Sequence, residues 1–206
     1  MSYEYDKYIT TPQKVKETID HYGVAIVPNV LDESEINHMN DGMWDYLEHV
    51  TQKFAIPMNR QDKSSWIEYL KLYPKHSMLL QQYGIGHSQY IWDIRQNPKV
   101  ANVFSEAWDT KADELLTSFD GASFHFPPED THRGWYRKTW YHTDQSYFRP
   151  DFECIQSWIT GYDVDDGDAT LAFMESSNTY HKEFQDTFKI TDKSDWYKHT
   201  EEEQSF

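Results

Sequence analysis

Apolar residues recur at helical spacing through the first half of the chain. Thr11-Pro12 supplies a cap and a first-turn proline, Val15, Ile19 and Tyr22 follow, and Gly23 stops the run. Asp32 and Glu35 stand at capping-box spacing ahead of Ile36, Met39, Met43, Leu47 and Val50, the apolar stripe of a long helix. Asn97-Pro98 opens another, with Val100, Val103, Phe104 and Ala107 turned inward. Ser64 to Leu72 reads as a further helical stretch, and Tyr83-Gly-Ile-Gly86 as a turn or loop. Stripes of this kind are core positions rather than cofactor contacts.

From about Thr117 the period changes. Ala122–Phe126, Arg137–His142, Ile155–Tyr162 and Thr170–Met174 read as strands, the last after the turn Asp165-Asp-Gly-Asp168. Val24–Val27, closed by Pro28-Asn29, reads as an outer strand. The pattern predicts one α+β domain over 1–206, mainly helical over 1–116 and an antiparallel β core over 117–206, with no internal repeat and no low-complexity linker.

Composition narrows the setting. The chain has 206 residues, 38% of them apolar and 17% aromatic, enough to bury a core and to wall a pocket with flat rings. Asp plus Glu outnumber Lys plus Arg by 35 to 19, a net charge of −16. Phosphate backbones and anionic lipid repel such a chain, so nucleic acid is not an expected partner. No apolar run approaches the roughly 18–20 residues of a membrane span, and the opening MSYEYDKYIT has no apolar leader core. The single cysteine, Cys154, forbids an internal disulfide and a cysteine-based zinc cluster. A soluble, cytoplasmic protein is the expectation.

The chemistry concentrates at Trp140-Tyr-His-Thr-Asp-Gln-Ser146. Residues i and i+2 of a strand share a face, so His142 and Asp144 project together and bring an imidazole nitrogen and a carboxylate oxygen to one point. Two histidines and one carboxylate on one face of an octahedron hold the iron of non-heme Fe(II) oxygenases, and an extended His-x-Asp supplies two of the three. Spacing alone is weak, because His181/Glu183 and His199/Glu201 repeat it. Only the first pair sits in an aromatic, strand-like run.

The chain resembles the phytanoyl-CoA dioxygenase-like family of Fe(II)/2-oxoglutarate-dependent oxygenases, in order and over most of its length. Tyr22-Gly-Val-Ala-Ile-Val-Pro-Asn29 with Leu31-Asp-Glu-Ser-Glu-Ile36 resembles that family's opening strand and first long helix, and Asn97-Pro-Lys-Val100 the approach to its barrel. Ser118-Phe-Asp-Gly121, the 140–146 stretch, Ile155-Gln-Ser-Trp158, Asp166-Gly-Asp-Ala-Thr-Leu171 and Met174-Glu-Ser-Ser177 with His181 follow in family order. The resemblance implies N-terminal helices packed on a double-stranded β-helix, or jelly-roll, core. It implies that His142 and Asp144 bind Fe(II), that 2-oxoglutarate is the co-substrate, and that O2 and a small-molecule substrate complete the reaction, hydroxylation of an unactivated C–H. His181 falls where the family carries a histidine that is usually not a ligand. Gln156 and Trp158 alternate on the strand after the pair and are candidate contacts to 2-oxoglutarate or substrate, with Trp158 as core the alternative. Trp140 shares a face with His142 and is a candidate wall of the site. Lys138 would share it too, either contacting a carboxylate or reaching out to solvent.

The departures bear on activity. The Pro-Gly that precedes Ser-x-His in the family is missing here. The family also needs a distal histidine and, after it, an arginine for the 2-oxoglutarate carboxylate. Arg149 is the last arginine, and His199, beside Lys198 and Glu201-Glu-Glu203, is the only late candidate for the distal histidine and does not read as a buried strand position. Arg133, Arg137 and Arg149 read as surface ion pairs, with an anionic substrate the alternative. Few strands are predicted for a jelly roll of about eight, so the expectation is a jelly roll incomplete at its C-terminus, the N-terminal part of a longer polypeptide. A catalytically silent jelly-roll binding module and a metal-dependent hydrolase remain as alternatives.

Overall fold

Asp32 starts the longest helix by a reciprocal cap: its carboxylate accepts from the Glu35 amide at 3.0 Å, and its own amide donates to the Glu35 carboxylate at 2.8 Å. The computed structural model describes residues 4–132, 140–165, 167–168 and 170–206. Its helices in chain order are α1 (Val15–Tyr22), α2 (Glu33–Thr51), α3 (Gln89–Arg95), α4 (Pro98–Trp108), α5 (Pro128–Thr131) and α6 (His181–Phe188). Its strands are β1 (Leu79–Leu80), β2 (Ala122–Ser123), β3 (His142–Thr143) and β4 (Tyr197–Lys198). They fall into two compact units, one of Met1–Val27, Arg137–Ile159 and Thr170–Phe206, the other of Pro28–Tyr136 and Thr160–Ala169.

The larger unit is built on α2 to α5 and a 3-10 helix over Lys63–Leu72. Lys99 bridges the capping pair of α2, its ammonium 2.8 Å from Asp32 and 2.7 Å from Glu35. That contact leads the causes holding both carboxyls below their usual range. Asn97 caps α4 by accepting from the Lys99 amide, with Pro98 in the first turn. The core gathers Leu47, Met58, Tyr69, Leu72, Leu80, Ile85, Phe124 and Phe126. Trp44, Trp66 and Phe126 meet with ring centroids 5.4 to 5.8 Å apart, the offset geometry aromatic rings prefer. β1 pairs antiparallel with β2, Leu80 opposite Ala122. The residue before β2 must be glycine: a Cβ on Gly121 would stand 1.9 Å from the Leu80 carbonyl oxygen.

The smaller unit carries the sequence-predicted site. α1 ends at Gly23, which takes φ 78° and returns its amide to the Ile19 carbonyl. Its core is Tyr147, Phe184 and Ile190, with Phe188 and Tyr197 packed against them. Tyr147 lies nearly parallel on Phe184, centroids 5.0 Å apart. β3 pairs antiparallel with β4, His142 opposite Lys198 and Thr143 opposite Tyr197.

The expected jelly roll is not formed. Helices make up 44% of the structure and strands 6%, and the sheets among the described residues are two separate pairs of strands. Ile155–Tyr162 and Thr170–Met174 are irregular, and the expected strand at Val24–Val27 is a single bridge between Ile9 and Ile26. Alternation fits a residue run to one face of a sheet but does not supply the neighbour that pairs its amides. Without such a neighbour, Trp158 and Tyr162 are 54% and 65% exposed. Half of the predicted Arg137–His142 strand, with Lys138, lies outside the described residues, as do Arg133 and Arg137. Among the described residues no helix is long and apolar enough to cross a membrane.

Candidate metal site

β3 and β4 form a two-faced ribbon. In an antiparallel ladder opposed residues point to the same side and neighbours alternate. One face carries Thr143 and Tyr197, with His199 beyond the end of the ladder, and turns them to the core. The other carries His142 and Lys198.

On that second face His142 and Asp144 lean together, Nε2 to Oδ1 at 3.4 Å. The other imidazole nitrogen, Nδ1, lies 3.1 Å from the Trp140 carbonyl oxygen. A carbonyl only accepts, so a neutral ring carries its proton on Nδ1 and keeps a lone pair on Nε2. That lone pair then faces a carboxylate oxygen, a second acceptor, at 3.4 Å. A cation between them satisfies both. The far oxygen of Asp144 accepts from the Gln156 side-chain amide at 2.6 Å. A histidine tied through its other nitrogen and a carboxylate held from behind are the supports that metal ligands usually have.

Two indoles flank the imidazole. Trp140 stacks on it at 4.6 Å, the planes 6° apart, and Trp196 approaches at 5.4 Å, tilted by 35°. Trp196 escaped the sequence reading. It precedes β4, and the long-range pairing of β4 with β3 brings it to His142. Trp158 has no described contact with the pair.

Two other histidines of the unit, His199 and His181, are engaged elsewhere. His199 Nε2 lies 2.8 Å from the Tyr147 hydroxyl. Burial pushes the Tyr147 phenol up. Burial lowers the His199 pKa, helped by nearby His142 and opposed by Glu203. Glu203 is itself held low: burial works against it, but hydrogen bonds from Tyr197 and Thr200 outweigh that. His181 opens α6, donates from Nε2 to the Ser146 carbonyl at 3.0 Å and stacks on Tyr147. Arg149 is paired twice, with Glu153 at 3.0 Å and Asp195 at 2.5 Å.

The donors His142 and Asp144 therefore fit two positions of a three-ligand ferrous site. Among the described residues no group of three His, Cys, Asp or Glu side chains could hold a metal ion.

No family model and no solved structure matches the chain. It is 26% identical over 163 residues to Ava biosynthesis cluster protein O of Aspergillus versicolor. The match covers 79% of this chain and 49% of the relative, so the chain spans about half the length of the curated relative it matches.

Proposed function

We propose that this chain contributes the iron-binding pair of an Fe(II)- and 2-oxoglutarate-dependent oxygenase that hydroxylates an unactivated C–H of a small molecule. The observation behind the proposal is the convergence of His142 Nε2 and Asp144 Oδ1 at 3.4 Å, with the remaining imidazole nitrogen committed to a carbonyl. Resemblance to the phytanoyl-CoA dioxygenase-like family in the order of its motifs supports it. So does the relative's name, which ties that protein to a biosynthesis cluster.

In this reading His142 and Asp144 hold the ion. Iron, 2-oxoglutarate and O2 together supply the oxidation, with succinate and CO2 as by-products. The protein's share is placement. Gln156 fixes the rotation of the Asp144 carboxylate, and the Trp140 carbonyl fixes the imidazole ring. Trp140 and Trp196 keep water from the imidazole faces and offer apolar surface to a substrate. Cys154 is a free, exposed thiol, in keeping with a reducing cytoplasm.

The test is Fe(II)-dependent conversion of 2-oxoglutarate to succinate, run on this chain and on the longest natural polypeptide that contains it. His142→Ala is expected to abolish turnover. Turnover that survives in His142→Ala overturns the assignment.

A catalytically silent binding module is the second reading. The neutralised Arg149 and the two-donor set favour it. It requires that no form of the protein make succinate.

A further inference from the structure

Residues 195–206 lie as a strap over the core of the smaller unit. Asp195 ties the strap at its start, accepting from the Ser146 amide at 3.3 Å and pairing with Arg149. β4 then pairs with β3, and the His199 amide donates to the Tyr141 carbonyl at 3.0 Å. The His199 imidazole turns inward, 2.8 Å from the Tyr147 hydroxyl and 5.0 Å from the Phe184 ring of α6. Past it the strap closes on itself. Thr200 and Glu203 cap each other reciprocally, and the other oxygen of Glu203 accepts from the Tyr197 hydroxyl at 2.6 Å. The Phe206 ring rests on Phe184 and Phe188, centroids 5.5 and 5.8 Å away. Ahead of the strap Ile190 is buried, and residues 191–194 are exposed and irregular, the features of a hinge.

These ties share a weakness, because Asp195, His199 and Glu203 each hold through one charge state. His199 is the one that titrates nearest neutrality. Its titratable neighbours come from every side. Tyr147 faces it from the turn after β3, and His181 of α6 stacks behind Tyr147. His142 lies on the neighbouring strand, and Tyr197 and Glu203 belong to the strap itself. Glu203 favours a positive imidazole, but both of its oxygens are already engaged. Burial and His142 oppose one, and burial is the larger effect. An imidazolium in this half-buried aromatic setting gains by moving into water.

We propose that residues 195–206 form an acid-released strap, with His199 as its latch. When His199 takes up a proton the strap lifts about the hinge at 191–194, and Trp196 leaves the face of His142. The closed strap covers that imidazole near neutrality, and acid uncovers it. The release itself needs no metal; its bearing on catalysis rests on the oxygenase reading above. The direction follows from proton binding. The closed strap binds the proton less well than the open one, so opening grows as pH falls below the ordinary histidine value of 6.5 and levels off below the lowered value of the closed form.

The experiment is amide hydrogen exchange on the whole chain, read by mass spectrometry from about pH 7.5 to about pH 5.5, with each rate divided by its intrinsic rate at that pH. Amides of the strap are expected to lose protection by at least ~3-fold over that span, and by no more than the ~10-fold per pH unit that one proton allows. Amides of α6 and of α2 should keep theirs. Acrylamide quenching of Trp196, taken as the difference between the unmodified chain and Trp196→Phe, should rise in step. His199→Gln keeps a group that can bond the Tyr147 hydroxyl, and it should remove the pH dependence from both readouts. Strap protection that stays constant with pH overturns the proposal. So does an equal loss in α6, which is unfolding of the whole unit. A pH dependence that survives in His199→Gln overturns the latch. None of these readouts involves a metal, so their failure leaves the oxygenase reading to the succinate assay.

Discussion

The Tyr147 hydroxyl and His199 Nε2 are hydrogen-bonded across 2.8 Å on the side of the β3–β4 ribbon turned away from His142. The last histidine of the sequence is thereby spent on the core and not on the site. His142→Ala should weaken Mn(II) or Fe(II) binding by more than the ~10–100-fold typical of losing a supporting residue. His199→Ala should leave metal affinity unchanged. Equal losses in the two variants, read by tryptophan quenching, would contradict the two-faced ribbon.

In the proposed metal site Gln156 would act only through Asp144. It is exposed, so water can replace part of its contact, and Gln156→Leu should cost metal affinity near the low end of the supporting-residue range, about 10-fold. A calorimetric titration comparing Gln156→Leu with Gln156→Glu checks this. A second carboxylate there should shift affinity in the opposite direction.

Acid should loosen the smaller unit in two steps. Folding lowers the His199 pKa, so the unfolded chain binds the extra proton and stability falls as pH drops through and below the ordinary histidine range. Folding also lowers Glu203, whose contribution is present above the ordinary carboxylate range and lost as pH falls through its folded value. His199→Gln should flatten the first step and Glu203→Gln the second in urea unfolding followed against pH. Tyr147→Phe should cost about 1–2 kcal/mol at neutral pH, the cost of a part-buried ring nitrogen left without its partner.

Gly121 and Gly84 separate crowding from backbone strain. Gly121→Ala drives a methyl into the Leu80 carbonyl and should cost about 2–3 kcal/mol or prevent folding of the larger unit. Gly84 has φ 70° and open space around it, so Gly84→Ala should cost only about 1 kcal/mol. Chemical denaturation of both variants settles the order.

The helices were legible because their signals are local. Asp32 with Glu35, Asn97 with Pro98, and Gly23 each act within one turn, and each marks the boundary expected of it. α6 went unread because Phe184 and Phe188 lie in a polar run, although their four-residue spacing already marks one helical face. The β expectations failed where pairing decides the outcome. Ile155–Tyr162 reads as a strand and still finds no neighbour, while Tyr197–Lys198, which looks solvated, finds one in β3. The same limit applies to the site. The shared direction of His142 and Asp144 follows from two-residue periodicity. Trp196 and Lys198 join them through pairing between segments more than fifty residues apart, which no local pattern encodes.

The sidedness of the ribbon also makes the site fragile to changes in length. Removing or adding one residue between Ile190 and Trp196 would slip β4 by one step against its partner. Tyr197 and His199 would swing toward solvent, and Trp196 and Lys198 would be driven into the aromatic core. A change of two residues preserves the alternation. In natural variants of this protein, single-residue gaps in that short segment should therefore be rarer than substitutions of any one residue within it.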